Sequence, residues 1–181
     1  MSGWKASTLP PAYRWLGSVG TLPRMLAEGL ELYGVRETAG AADNPVILQW
    51  AREAGVAGYR ADATAWCGLF LAVAAKRAGW TVPDGPLWAL NWGKFGVATA
   101  RPMLGDVMTF VRPGGGHVGL YVGEDAAAWH VLGGNQDDRV GFARIARGRM
   151  RAVRRPPYRR APATVAAHRL AATGKLSVDE A

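Results

Sequence analysis

The spacing of apolar residues changes once along this 181-residue chain, and that change limits the fold more than any other feature. Up to about residue 78, apolar side chains recur at helical spacing, and after residue 106 they alternate with a period of two. Helices followed by antiparallel strands form an α+β domain, with the helices packed on one face of a small sheet. The sequence therefore predicts one such domain, because a chain of this length buries one full core.

Three helices are predicted before the sheet, each bounded by residues that favour helix ends. The third is apolar nearly all round, which is typical of a buried helix. The helices cover residues 22–33, 45–53 and 66–78, and strands follow at 107–111, 117–122 and 127–132, with one or two more between 142 and 155. Residues 80–104 contain three tryptophans and predict a long loop over the core, of the kind that shapes substrate grooves.

The chain divides into three parts by composition. Residues 1–21 are rich in Pro, Gly and Ser and are predicted to form an N-terminal arm that packs loosely or docks elsewhere. Residues 22–156 form the domain. Residues 157–181 are a basic tail, in which 164–172 are expected to form a short helix.

Cys67 is the only cysteine of the chain, and it stands where a polar stretch turns into the third predicted helix. A single cysteine cannot form an internal disulfide, so its thiol is free to react. A thiol at a helix N-terminus experiences the positive end of the helix dipole, which favours the thiolate. The sequence therefore predicts that Cys67 is a nucleophile near neutral pH.

A histidine and an amide follow in the predicted strands. His117 comes after three glycines at the start of the second strand, and Asn135 follows the third strand in a Gly-Gly-Asn-Gln turn. Alternation puts His117, Gly119 and Tyr121 on one face, where the glycine leaves room for the sulfur of Cys67. These residues offer a nucleophile, a base and an amide that orients the base.

Each of these residues also has an ordinary structural explanation. A lone cysteine in an apolar helix is usually a small buried hydrophobe, and a strand histidine is often only hydrogen-bonded. Asn135 also suits a simple turn, and Gln136 and His130 compete with it for the third role. Cys67, His117 and His130 could be drawn as a zinc site, but no close ligand pair anchors one. We therefore expect neither a metal nor a cofactor.

Four motifs resemble those of the phage and prophage cell-wall hydrolases in the NlpC/P60 and CHAP superfamily of papain-like cysteine peptidases. They occur in the same order as in that group, and the resemblance covers roughly residues 22–156. The motifs are Trp66-Cys67-Gly68-Leu69-Phe70, Gly105-Asp106-Val107, Gly116-His117-Val118-Gly119 and Leu132-Gly133-Gly134-Asn135-Gln136.

The resemblance implies a papain-like NlpC/P60 fold and cleavage of an amide bond in the peptide part of peptidoglycan. By position, Cys67 resembles the nucleophile, His117 the general base, and Asn135 the residue that orients the imidazole. This chain has Trp66 where an Asp often precedes the nucleophile, and Asn135 where a His is common. Because of these differences, the resemblance implies the class of reaction but does not identify which peptidoglycan bond is cleaved.

An enzyme of this class must also stabilise the oxyanion that forms when the carbonyl is attacked. The backbone N–H of Cys67 is the natural first donor, because it lies at the helix start. The phenol of Tyr59 is a second candidate. Trp66 and Gln136 are further candidates for contact with the oxyanion or the substrate.

The formal charge of +8 is concentrated in the segment Arg144–Arg160. Such a segment either attracts an anionic polymer of the cell wall or forms an edge strand that its arginines protect from pairing. Nucleic acid is not the expected partner, because aromatic residues do not alternate with the arginines.

The N-terminus lacks the apolar core of a signal peptide, and no stretch has membrane-spanning length. We expect synthesis in the cytoplasm, followed by delivery to the wall through a holin, a virion or a secretion system. Two other functions stay open: a non-catalytic phage tail or wall-binding module of the same fold, and an interbacterial amidase effector or protein-modifying acyltransferase.

Overall fold

In the part of the chain that the structure describes, three α-helices precede six strands, and the α+β class is confirmed. The first strand lies in the segment 80–104, which we expected to be a loop. The computed structural model describes residues 3–40 and 42–178. Within these ranges the helices are α1 (Arg24–Glu31), α2 (Pro45–Ala54) and α3 (Cys67–Arg77), and the strands are β1 (Val97–Ala98), β2 (Val107–Arg112), β3 (Gly115–Glu124), β4 (Ala128–Gly133), β5 (Gly141–Ala146) and β6 (Met150–Arg155). The strands form one antiparallel sheet in the order β1-β6-β2-β3-β4-β5.

Local sequence explains the bounds of α2. The side chain of Asn44 accepts a hydrogen bond from the backbone N–H of Val46 (2.8 Å), which caps the helix start. Pro45 occupies the first turn, where its missing N–H is not needed. Gly55 ends the helix with a φ of 73°, a left-handed conformation that glycine adopts without strain.

The core lies between the sheet and the helices. α1 and α3 pack on β3 and β4, and nine consecutive residues of α3, from Cys67 to Ala75, are buried. Gly29 in α1 allows close approach, because a Cβ atom there would lie 3.1 Å from Phe70 and 3.3 Å from Leu120. The other face of the sheet carries a second apolar cluster of Met108, Phe110, Tyr121, Trp129, Val131, Ile145 and Val153.

The N-terminal arm is packed into this core, so the loose packing that we considered for it is not observed. It forms two 3-10 helices, Ala6–Thr8 and Pro11–Gly17, and buries Leu9, Tyr13 and Leu16. Burial of these three apolar side chains removes apolar surface from water, which stabilises the packing of the arm on the domain.

The tail is an extended segment that crosses the sheet, and the helix predicted at 164–172 does not form. We call residues 161–178 the strap. Its backbone pairs with Glu124, which donates to the carbonyl of His168 (2.8 Å) and accepts from the N–H of Leu170 (2.9 Å). These bonds use the backbone groups that a helix would need. The ring centroids of Trp15 in the arm and His168 in the strap are 4.5 Å apart, with the rings tilted by 30°, so the arm and the strap lie side by side.

Most arginines of the basic segment contact the protein itself. Arg144 pairs with Asp125 (2.8 Å), and Arg155 pairs with Asp106 (2.7 Å). The guanidinium of Arg147 lies 3.8 Å from the ring centroid of Trp129. These contacts favour the structural explanation of the segment, while Arg151, Arg159 and Arg160 stay exposed. In residues 3–40 and 42–178, no helix is both long and apolar enough to cross a membrane.

Candidate active site

Cys67 begins α3 beneath the loop that follows this helix. Its side chain is only 4% exposed. A Cβ atom on the next residue, Gly68, would lie 2.0 Å from the carbonyl oxygen of Pro86 and 3.0 Å from that of Leu87. Only glycine permits this approach, so the 80–95 segment packs directly on the helix start.

The thiol of Cys67 is held in its neutral form. Burial raises its pKa and outweighs the backbone N–H groups of Val118 and Gly68 and the positive charge of Arg112, all of which lower the pKa. The thiolate that we expected from the helix N-terminus is therefore disfavoured. A nearby base must accept the proton when the sulfur attacks. Arg112, at the end of β2, has no distinguishing sequence signal and was missed.

His117 lies in the strand that the sulfur touches. The N–H of Val118 is hydrogen-bonded to the thiol of Cys67, which places the sulfur against the backbone one residue after His117. The His117 side chain is fully buried, and its ring lies 6.4 Å from that of Phe110 on the neighbouring strand. The structure thus places the predicted nucleophile against the backbone of the strand that carries the predicted base.

Gln136 and the imidazole of His117 both pack against Gly133. A Cβ atom built on Gly133 would lie 3.1 Å from His117 Nε2 and 3.1 Å from Gln136 Cδ, so both side chains contact this glycine. The Gln136 amide nitrogen donates to the carbonyls of Gly133 (3.3 Å) and Gly141. Its Oε1 is buried and has no hydrogen-bond partner among the residues that the structure describes.

Asn135 occupies the turn that positions Gln136. Its φ is 55°, and Asp137 and Asp138 are also left-handed, so the predicted turn chemistry is present. The side chain is 4% exposed, and its Oδ1 lacks a hydrogen-bond partner within the described ranges. The contacts around Gly133 favour Gln136 over Asn135 as the amide beside the imidazole.

Trp66 and Tyr59 support the helix start. Trp66 is fully buried and donates through its indole to Glu37. A Cβ atom on Gly134 would lie 2.8 Å from its ring, so Trp66 also fixes the turn before Asn135. The Tyr59 hydroxyl donates to the carbonyl of Thr64 (3.0 Å), which uses the proton that we assigned to an oxyanion.

His130 belongs to a separate buried network. Its Nδ1 is hydrogen-bonded to the Tyr13 hydroxyl (2.9 Å) and its Nε2 to Asp125 (2.7 Å), which also binds Arg144. Both ring nitrogens are therefore used away from Cys67. No group of three His, Cys, Asp or Glu side chains suited to a metal occurs in the described part of the chain.

Comparison with models of known protein families and with curated proteins finds no match to this chain.

Proposed function

We propose that this protein is a cysteine peptidase that cleaves an amide bond in the peptide part of bacterial peptidoglycan. The main support is one arrangement: the sulfur of Cys67 contacts the backbone beside His117, and the imidazole of His117 and the amide of Gln136 both pack against Gly133. A nucleophile, a base and an orienting group in this order suit acyl transfer. The resemblance to NlpC/P60 and CHAP hydrolases supports a papain-like fold and supplies the substrate class.

In the proposed reaction, the sulfur of Cys67 attacks the amide carbonyl while His117 accepts the thiol proton. Because burial raises the thiol pKa, this transfer accompanies the attack. The backbone N–H of Cys67 donates to the oxyanion. His117 then protonates the departing amine, which leaves a thioester. Water hydrolyses the thioester with His117 as base, and this step restores the thiol.

The group that orients the imidazole of His117 comes from the loop that follows β4. An amide oxygen that accepts from the Nε2–H of His117 keeps the Nδ1 lone pair free for the thiol proton. Gln136 is the better placed of the two amides, because its side chain packs against Gly133 as the imidazole does. The amide oxygens of Gln136 and Asn135 are both buried without a hydrogen-bond partner in the described chain. Asn135, the residue at the motif position, stays the alternative.

Digestion of purified cell walls tests the proposal. Wild-type protein should release muropeptides, and mass spectrometry of these products identifies the cleaved bond. Cys67→Ala should release none while its thermal unfolding stays near that of the wild type, because alanine suits a helix. A lytic Cys67→Ala variant would refute the thiol mechanism.

Wall binding without any release by the wild type would favour the non-catalytic module instead. Hydrolysis or acylation of a protein substrate, with walls left intact, would favour the effector or acyltransferase. The same Cys67→Ala variant is the control in each case.

A further inference from the structure

Trp88 differs from the other tryptophans of the chain in its exposure. All eight tryptophans lie in the described ranges, and Trp88 alone is in the exposed class, at 54%. Exposing so large an apolar ring to water is unfavourable, and such residues commonly mark contact sites. Trp88 lies in the predicted groove-forming loop.

The loop holds Trp88 in a fixed position. Trp92 is fully buried and donates to the carbonyl of Pro86 (3.0 Å). Asn91 donates through its side chain to the carbonyl of Gly85 (2.9 Å), and Gly85 has a φ of 59° that glycine tolerates best. A preorganised aromatic loses little conformational entropy on binding.

A cavity of about 620 Å³ lies beside Trp88. Its lining comes from residues 54–57 at the end of α2 and from the loop at 82–88 and Asn91. Two of these residues, Pro86 and Leu87, present the carbonyls that press on Gly68, next to Cys67. The same two residues therefore line the cavity and pack against the helix start that carries Cys67.

The lining combines flat apolar surfaces with few polar groups. Pro83, Leu87 and Trp88 supply apolar contact, Asn91 an amide, and Asp84 the only charge. A sugar ring presents one face of C–H groups and a rim of hydroxyls that donate to carboxylate and carbonyl oxygens. A peptide rich in carboxylates would instead be repelled by Asp84.

We infer that this cavity binds the saccharide part of the wall polymer, with a sugar ring stacked on Trp88, so that the linked peptide reaches Cys67. This inference rests on the proposed function and adds a glycan subsite to it. The amide that is cleaved would then lie close to the glycan strand.

Binding of an N-acetylglucosamine tetramer to full-length Cys67→Ala protein tests the subsite without turnover. Calorimetric titration should show binding, and adding Trp88→Ala should weaken it at least about tenfold, the scale of one aromatic contact. Val97→Ala is the control, because Val97 is similarly exposed, at 57%, but lies on β1 outside the cavity. Absence of binding, or equal weakening by both variants, would overturn the inference.

A second measurement compares substrates in active protein. Trp88→Ala should lower, about tenfold, the ratio of kcat/KM for glycan-linked muropeptides to that for the free stem peptide. An unchanged ratio, or loss on the free peptide alone, would overturn the glycan assignment and, in the latter case, favour a peptide subsite. If the wild type cleaves neither substrate, the proposed function fails, and the tetramer titration still decides the subsite.

Discussion

The imidazole of His117 and the amide of Gln136 meet at Gly133, where a single added carbon would lie 3.1 Å from each of them. Gly133 is the last residue of β4, and the turn after it brings Gln136 back toward the strand. The proposed base and its proposed orienting group are thus packed against one backbone position. This geometry makes the two side chains separately testable.

Gln136→Ala should lower kcat by about 10²-fold, and by more than Asn135→Ala, because an unoriented imidazole loses its preferred tautomer. Steady-state kinetics over a range of pH measure both variants. A purely structural role for Gln136 would reduce thermal stability and leave the shape of the pH–rate profile unchanged. A nearly silent Gln136→Ala beside a severely impaired Asn135→Ala would assign the third role to Asn135.

Gly133→Ala should lower kcat about tenfold and leave KM nearly unchanged, because its methyl group would push the imidazole and the amide apart. Gly148→Ala is a matched control, since a Cβ atom there meets nothing within 4 Å. Equal kinetics for the two variants would contradict the contact at Gly133.

Alkylation of Cys67 should titrate above the ordinary thiol pKa of about 8.5, because burial raises the pKa of this thiol. The rate of reaction with iodoacetamide as a function of pH gives the midpoint, and the single cysteine makes the signal unambiguous. Protein unfolded in urea provides the reference midpoint. A rate that is already at its plateau near pH 7 would instead indicate a preformed thiolate–imidazolium pair.

Stability should fall as the pH drops below about 6.5, the ordinary pKa of histidine. Burial lowers the pKa of His130 in the folded protein, more than Asp125 raises it. The unfolded chain therefore binds a proton at this site before the folded protein does. The contribution of this histidine to the free energy of unfolding is fully present above that pH. It declines below that pH by at most about 1.4 kcal/mol per pH unit.

Urea denaturation at pH 7 and pH 5 measures this effect. His130→Gln is the control, because glutamine retains a donor and an acceptor but does not titrate. The variant should lose less stability than the wild type over this interval. Equal losses would show that His130 does not contribute to the pH dependence.

Much of the helix and strand order was predictable because local sequence determines it. Asn44, Pro45 and Gly55 mark the ends of α2 by their own backbone preferences. The strap was not predictable in this way. Its hydrogen bonds join Leu170 to Glu124, and no local pattern signals a partner so distant in sequence.

The candidate site likewise contains residues that local sequence predicted and residues that it did not. Cys67 and His117 were identified from residue type and position at element starts, and the fold places the sulfur at the His117 strand. The amide was harder to assign, because alternation along a strand does not continue through left-handed residues. Asn135, Asp137 and Asp138 have φ values of 55°, 52° and 57°, and this turn directs Gln136 back to Gly133.

The contact between the arm and the strap also governs when the chain can finish folding. Thr164 in the strap donates to the carbonyl of Thr21, across a sequence separation of 143 residues. A ribosome that has released the chain as far as Arg155 has produced the whole sheet, yet Trp15 and Gly123 still lack the strap residues that cover them. Docking of the strap pairs Leu170 with Glu124, which is distant in sequence, whereas each helix forms from neighbouring residues. The last docking step therefore follows synthesis of the strap, and we expect it to be slow compared with formation of the helices.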